Sequence, residues 1–93
     1  MIFGTDTEVL EKVVEKTKVK DNNQIILFND DVNTFDHVID TLIRVCEHDA
    51  LQAEQCAMLV HYKGKCGVKS GPYRDLEPRC TALLDAGLSA EIQ

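Results

Sequence analysis

The residues of this chain best suited to chemistry lie in two short stretches. Asn29, Asp30, Asp31 and Asn33 set two carboxylates and two side-chain amides into one turn, directly behind the apolar run Ile25-Ile26-Leu27-Phe28. Further on, Ala57, Val60 and His61 stand at i, i+3 and i+4, so a helix there carries an imidazole on one face with two small apolar side chains. A calcium loop with ligands at Asn29, Asp31 and Asn33 needs Gly at its sixth place and Glu at its twelfth. The chain has Thr34 and Asp40 there and no helix in front, so that reading fails. An acid–base pair of Asp30 and Asp31 needs carboxylates that share a proton, yet neighbours on an extended segment point opposite ways. A thiol nucleophile made of Cys66, His61 and an orienting Asn29 needs a reactive cysteine beside a cleft, whereas all four cysteines fall where the pattern predicts burial. The spacing best suits binding: oxygens around an ammonium group, with an apolar pocket below.

Those groups need elements to position them. Residues 24–28 are a compact β-favouring run and predict the first strand, stopped by Asn29-Asp30-Asp31. Asn33 or Thr34 can cap a helix that keeps Phe35, Val38, Ile39, Leu42, Ile43 and Cys46 at helical spacing. Asp49 with Gln52 resembles a capping box, which predicts a second helix carrying Ala53, Cys56, Ala57, Leu59 and Val60 and ending at Gly64. Residues 66–70 read as a second strand. A third helix is expected from about Asp75, with Pro78 in its first turn and Leu76, Cys80, Leu83 and Leu84 inward, ending at Gly87. Residues 88–92 read as the last strand. The order β-α-α-β-α-β predicts an α/β (α+β) fold: a small two-layer sandwich, a three-stranded antiparallel sheet covered by three helices. If the first two helices form an antiparallel hairpin over the sheet, Phe35, Ala57 and Val60 line one apolar pocket and Asn29, Asp30 and His61 stand on its rim. The plainer reading of His61 stays open: an exposed residue favoured by the helix dipole.

Composition narrows the partners. The chain has 93 residues, 44% of them apolar, and a net charge of -6. Residues 29–54 hold Asp or Glu at positions 30, 31, 36, 40, 47, 49 and 54 against the single Arg44, so this segment alone carries the net charge. Such a surface repels phosphate backbones, which argues against nucleic acid. No apolar run approaches the ~20 residues of a membrane span. The first residues lack a basic region followed by an apolar stretch, so a cytoplasmic address is expected. Cys46, Cys56, Cys66 and Cys80 are expected reduced, and without paired knuckles they predict no metal site. Residues 1–22, with a short amphipathic pattern at Val9, Leu10, Val13 and Val14, read as a flexible or partly helical extension of a core domain over 23–93.

Two motifs resemble the ClpS family of Clp protease adaptors: the Asn29-Asp30-Asp31 turn after an apolar strand, and Val60-His61-Tyr62-Lys63-Gly64-Lys65 followed by Cys66-Gly67-Val68. The match covers about residues 24–70 and continues more weakly to Ile92. The resemblance implies a non-enzymatic adaptor without cofactor. Such an adaptor recognises amino-terminal Leu, Phe, Tyr or Trp on substrate proteins and delivers them to a Clp AAA+ ATPase of ClpA or ClpC type. It implies that Asn29, Asp30 and His61 bind the free α-amino group and that Phe35, Ala57, Val60 and Asn33 surround the side-chain pocket. It further implies that Arg79 faces the ATPase, that residues 1–22 act in delivery, and that the chain works as a monomer. The chain departs from the family at Phe35 and Ala57, where Met is usual, and at Asn33-Thr34, where Thr-Pro is usual. The alternative is a protein–protein module of the same sandwich type without terminal-residue specificity, like the carboxy-terminal domain of the ribosomal stalk protein. That domain lacks both motifs.

Overall fold

A computed structural model describes residues 22–93, so the expected extension lies outside the described residues except at its last position. The elements are β1 (Asn23–Phe28), α1 (Phe35–Cys46), α2 (Ala50–Lys63), β2 (Lys65–Gly71), α3 (Tyr73–Asp85) and β3 (Ser89–Ile92). Both sheet neighbours of β1 run antiparallel to it, in the order β2-β1-β3. Ile25 and Leu27 are fully buried and join Leu42, Cys46, Ala53, Leu76 and Leu83 in the core. Each of the Ile and Leu side chains contributes roughly 1.5–3 kcal/mol. Ile26, one position out of phase, is also buried but lies outside that cluster.

Local chemistry sets the boundaries that matter for the site. Thr34 Oγ1 accepts the His37 N–H at 3.1 Å and starts α1. Asp49 Oδ1 accepts the Gln52 N–H at 2.7 Å and starts α2. Each cap is worth about 1 kcal/mol. Between the helices Glu47 takes a left-handed conformation with φ 60°. Its carboxylate accepts Arg79 Nη2 at 2.5 Å, and that bond, with the charges of Arg79 and Lys69, holds the carboxyl below its usual range.

His48, next in the connection, is buried and its Nε2 lies 2.6 Å from the Val68 carbonyl. A carbonyl only accepts, so Nε2 carries the proton. The carbonyl is available because β2 bulges: Ile25 faces Lys69 and Ile26 faces Gly67, which leaves Val68 as the extra residue. His48 thus pins the helix–helix turn to the sheet. Its Nδ1 is buried with no partner among the described residues.

Three sequence expectations need correction. First, α3 begins at Tyr73, not near Asp75, because the Pro72 carbonyl accepts the Asp75 and Leu76 N–H groups at 3.0 and 3.2 Å. Pro78 therefore lies beyond the first turn. It cannot bond the Arg74 carbonyl, and both residues are exposed, so water can hydrate that group. Second, Leu84, expected inward, turns outward, as Ile43 and Leu59 do on the other two helices. Thr41 takes the inward place on α1 and bonds its hydroxyl to the His37 carbonyl at 2.7 Å. Third, Leu88 belongs to the stop of α3 rather than to β3. Gly87, at φ 90°, donates to the Leu84 carbonyl at 2.9 Å, and Leu88 donates to the Leu83 carbonyl at 3.0 Å. That pair of hydrogen bonds is the common glycine stop.

Candidate functional site

Where β1 ends, the turn that follows it, the start of α1 and the last turns of α2 enclose a pocket of about 250 Å³. A backbone bond joins the two stretches singled out in the sequence. The Asn29 N–H donates to the Gly64 carbonyl at 2.9 Å, and Gly64, at φ 92°, is the residue that stops α2. The acidic turn is thereby fixed against the end of the helix that carries His61. Asn29, Asp30, Asn33, Phe35, Ala57, Val60 and His61 all line the pocket. Arg79 does not: it sits on α3, donating to the Val45 carbonyl and Glu47 at 2.5 Å each, at the far end of α1 from Phe35.

Asp30 is the most constrained group of the rim. Its Oδ1 accepts the Val32 and Asn33 N–H groups at 3.1 Å each and Asn33 Nδ2 at 2.9 Å. Its Oδ2 accepts the same Nδ2 at 3.0 Å and the Ser89 hydroxyl at 3.4 Å. Asn33 Nδ2 also donates to the Gly87 carbonyl at 2.9 Å. A single amide therefore ties the carboxylate to the stop of α3. Slight burial pushes the Asp30 carboxyl up, but the bonds from the Asn33 side chain, the two backbone N–H groups and Ser89 outweigh it, and the group is held below the usual carboxylate range. The rim thus presents a fixed anion at neutral pH.

The walls come from the helices. The Phe35 ring lies 5.1 Å from the His61 ring, tilted by 58°, and His61 meets Tyr62 edge-on at 4.8 Å. Phe35 keeps 42% of its surface exposed, whereas Ala57 and Val60 are buried. His61 is exposed, and among the described residues its ring nitrogens make no hydrogen bond. The site is an apolar cup whose rim bears two carboxylates, Asp30 and Asp31, two amides and one imidazole. Such a cup can hold an apolar side chain attached to a cation.

Sequence reasoning missed Leu27, Phe28, Asp31, Thr34, Val38 and Leu88 as lining residues. Val38 had a signal, one helical turn beyond Phe35. Leu88 had none, because only the stop of α3 brings it to the pocket. The four cysteines are free, three of them buried and Cys66 half-buried. Burial pushes the Cys46 thiol up to about 11 and the Cys56 thiol up to about 12, so little thiolate exists there at neutral pH. Among the described residues no three His, Cys, Asp or Glu side chains gather as a metal site, and no helix is long and apolar enough to cross a membrane.

The family model described as ATP-dependent Clp protease adaptor protein ClpS matches residues 18–91. The chain belongs to the ClpS family. It is 30% identical over 84 residues to the Clp protease adapter protein ClpS 2 of Bradyrhizobium diazoefficiens, covering 88% of this chain and 74% of that protein. It is 36% identical over 69 residues to the ClpS of Thermosynechococcus vestitus, covering 73% of each. A solved structure of Agrobacterium tumefaciens ClpS2, described as bound to L-phenylalaninamide, superposes with a TM-score of 0.69 at 20% identity, over 80% of this chain and 99% of that one. At that identity the superposition speaks for the fold. ClpS proteins are adaptors of the Clp protease and not catalysts.

Proposed function

We propose that this ClpS chain binds the amino-terminal residue of substrate proteins and delivers them to a Clp ATPase–protease of ClpA or ClpC type. It would act as a cytoplasmic monomer, with residues 1–22 engaged in delivery. The observation that carries this reading is the ionised Asp30, held by Asn33 and Ser89 at the mouth of an apolar cup. Asp30 and Asn29 take the free α-ammonium group, and His61 offers a ring nitrogen beside them. Phe35, Val38, Ala57, Val60 and Leu88 surround the side chain. L-phenylalaninamide, in the Agrobacterium structure, has a free ammonium group, an aromatic side chain and a capped carboxyl, and so stands in for an amino-terminal Phe.

The magnitudes are adequate. Burying one Leu or Phe side chain contributes roughly 1.5–3 kcal/mol. Each hydrogen bond to a charged group contributes about 1.5–3 kcal/mol. With two or three of these the gross gain is about 4.5–12 kcal/mol before the cost of ordering, which reaches micromolar binding near its upper end. Arg79, about 18 Å along α1 from the cup, is the contact proposed for the ATPase. The test of terminal recognition is fluorescence anisotropy with a labelled peptide beginning with leucine, free or acetylated at its amino terminus. Strong preference for the free form is expected, and equal binding of the two would end the proposal.

A further inference from the structure

Next to the cup lies a second, larger depression that the terminal residue would not use. It is a groove of about 780 Å³ between α1 and α2, lined by Phe35, Ile39, Leu51, Met58 and Leu59 with Glu54 on its edge. Leu51, Met58, Leu59 and Phe35 are 64%, 50%, 45% and 42% exposed. Large apolar side chains exposed singly are ordinary, but this is a contiguous set on one side of a helix hairpin. It has an origin in the sequence: α2 is apolar on two sides. One side, through Ala53, Cys56, Ala57 and Val60, builds the core, and the other has no partner among the described residues.

We infer that this groove is a second subsite for the substrate chain, taking an apolar side chain about three residues behind the terminal one. The inference rests on the reading of the cup given above. Phe35 lines both depressions, so a chain whose first residue is in the cup reaches the groove by crossing one ring. The dimensions agree. From Ala57 in the cup back to Leu51 in the groove the helix axis rises roughly 9 Å, which an extended chain covers in about three residues. The charge is selective as well. Glu54 borders the groove, and Asp36 is the exposed sequence neighbour of Phe35. An apolar side chain flanked by neutral or basic residues is therefore favoured, and an acidic one is repelled.

The experiment uses the full chain and three labelled peptides that begin with leucine and differ only at the fourth position: leucine, serine or glutamate. Anisotropy is expected to show the leucine peptide binding roughly five- to tenfold tighter than the serine peptide, and the glutamate peptide weaker than both. In Met58→Ser and Leu51→Ser, both at exposed sites, the first preference should shrink to within about twofold while the serine peptide binds as before. Leu84→Ser, exposed on α3 outside the groove, should keep it. If the serine and leucine peptides bind the unaltered chain equally, the subsite does not exist although terminal recognition stands. If none of the three binds, the reading of the cup falls and takes the subsite with it. If sedimentation shows a dimer that Met58→Ser dissolves, the groove belongs to a second copy and the inference is overturned.

Discussion

Replacing Asp30 by Asn keeps the size of the side chain and removes its charge, which makes it the sharpest probe of the cup. The turn itself should survive. An Asn oxygen can still accept the Val32 and Asn33 N–H groups that Asp30 Oδ1 accepts at 3.1 Å. The other atom becomes an amide nitrogen, facing both Asn33 Nδ2 and the incoming ammonium group, donor against donor. Two unit charges 4 Å apart attract by about 1 kcal/mol in water and about 4 kcal/mol in the screened interior near a protein surface. A half-buried rim lies between, and a charge-assisted hydrogen bond nets about 1.5–3 kcal/mol after desolvation. Asp30→Asn should therefore weaken a leucine-initiated peptide by roughly 10- to 150-fold. Acetylation removes the same interaction from the peptide side, so the acetylated peptide should lose little further in the variant. That coupling is the signature of direct contact.

The pH profile gives a second check on the same group. The Asp30 carboxyl is depressed, so the stability it contributes is present above its unfolded pKa and is lost as pH falls through its lower folded value. Between pH 5 and 8 the anion persists, and affinity should not change on its account. On the alkaline side the peptide amine controls the outcome. Its ordinary pKa is about 7.7–8.0, and pairing with Asp30 raises it in the complex, so binding should fade as pH rises above about 8. Anisotropy titrations of both chains, with melting curves to show that both are folded, decide the matter. A loss smaller than about twofold in Asp30→Asn would refute the ammonium clamp.

Other consequences can be measured with the same tools. Ala57→Met should narrow the cup and weaken tryptophan- or phenylalanine-initiated peptides more than leucine-initiated ones; unchanged rank order would mean that Ala57 does not shape the wall. His48→Ala removes the bond to the Val68 bulge and leaves a cavity, so stability should fall by about 2–4 kcal/mol in denaturant titrations, with leucine-peptide affinity retained in the folded fraction. Gly87→Ala forces a Cβ into the left-handed region, costing about 1–2 kcal/mol, and should also weaken peptide binding modestly, because Asn33 anchors Asp30 through the Gly87 carbonyl.

Much of this was legible in the chain because it rests on neighbours in sequence. The caps at Thr34 and Asp49, the glycine stops at Gly64 and Gly87 and the strand at 23–28 are local decisions of side chain against nearby backbone. Errors arose where local rules compete. Pro78 read as a first-turn residue, but Pro72 was already positioned to start α3. Ile43 and Leu59 kept helical spacing, yet a helix pair over a three-stranded sheet has room for only part of an apolar surface.

By itself the sequence determined the element order, the acidic turn and the place of His61 near the end of the second helix, since turn chemistry and helical period act over a few residues. Only the tertiary structure decided that Asn33 would clamp Asp30 to the end of α3, that Leu88 would close the cup, and that Val68 would bulge to receive His48. Those contacts join positions roughly 20 to 60 residues apart. They exist because packing the helices on the sheet brings such groups together, and no local periodicity records which atoms will then be left to bond.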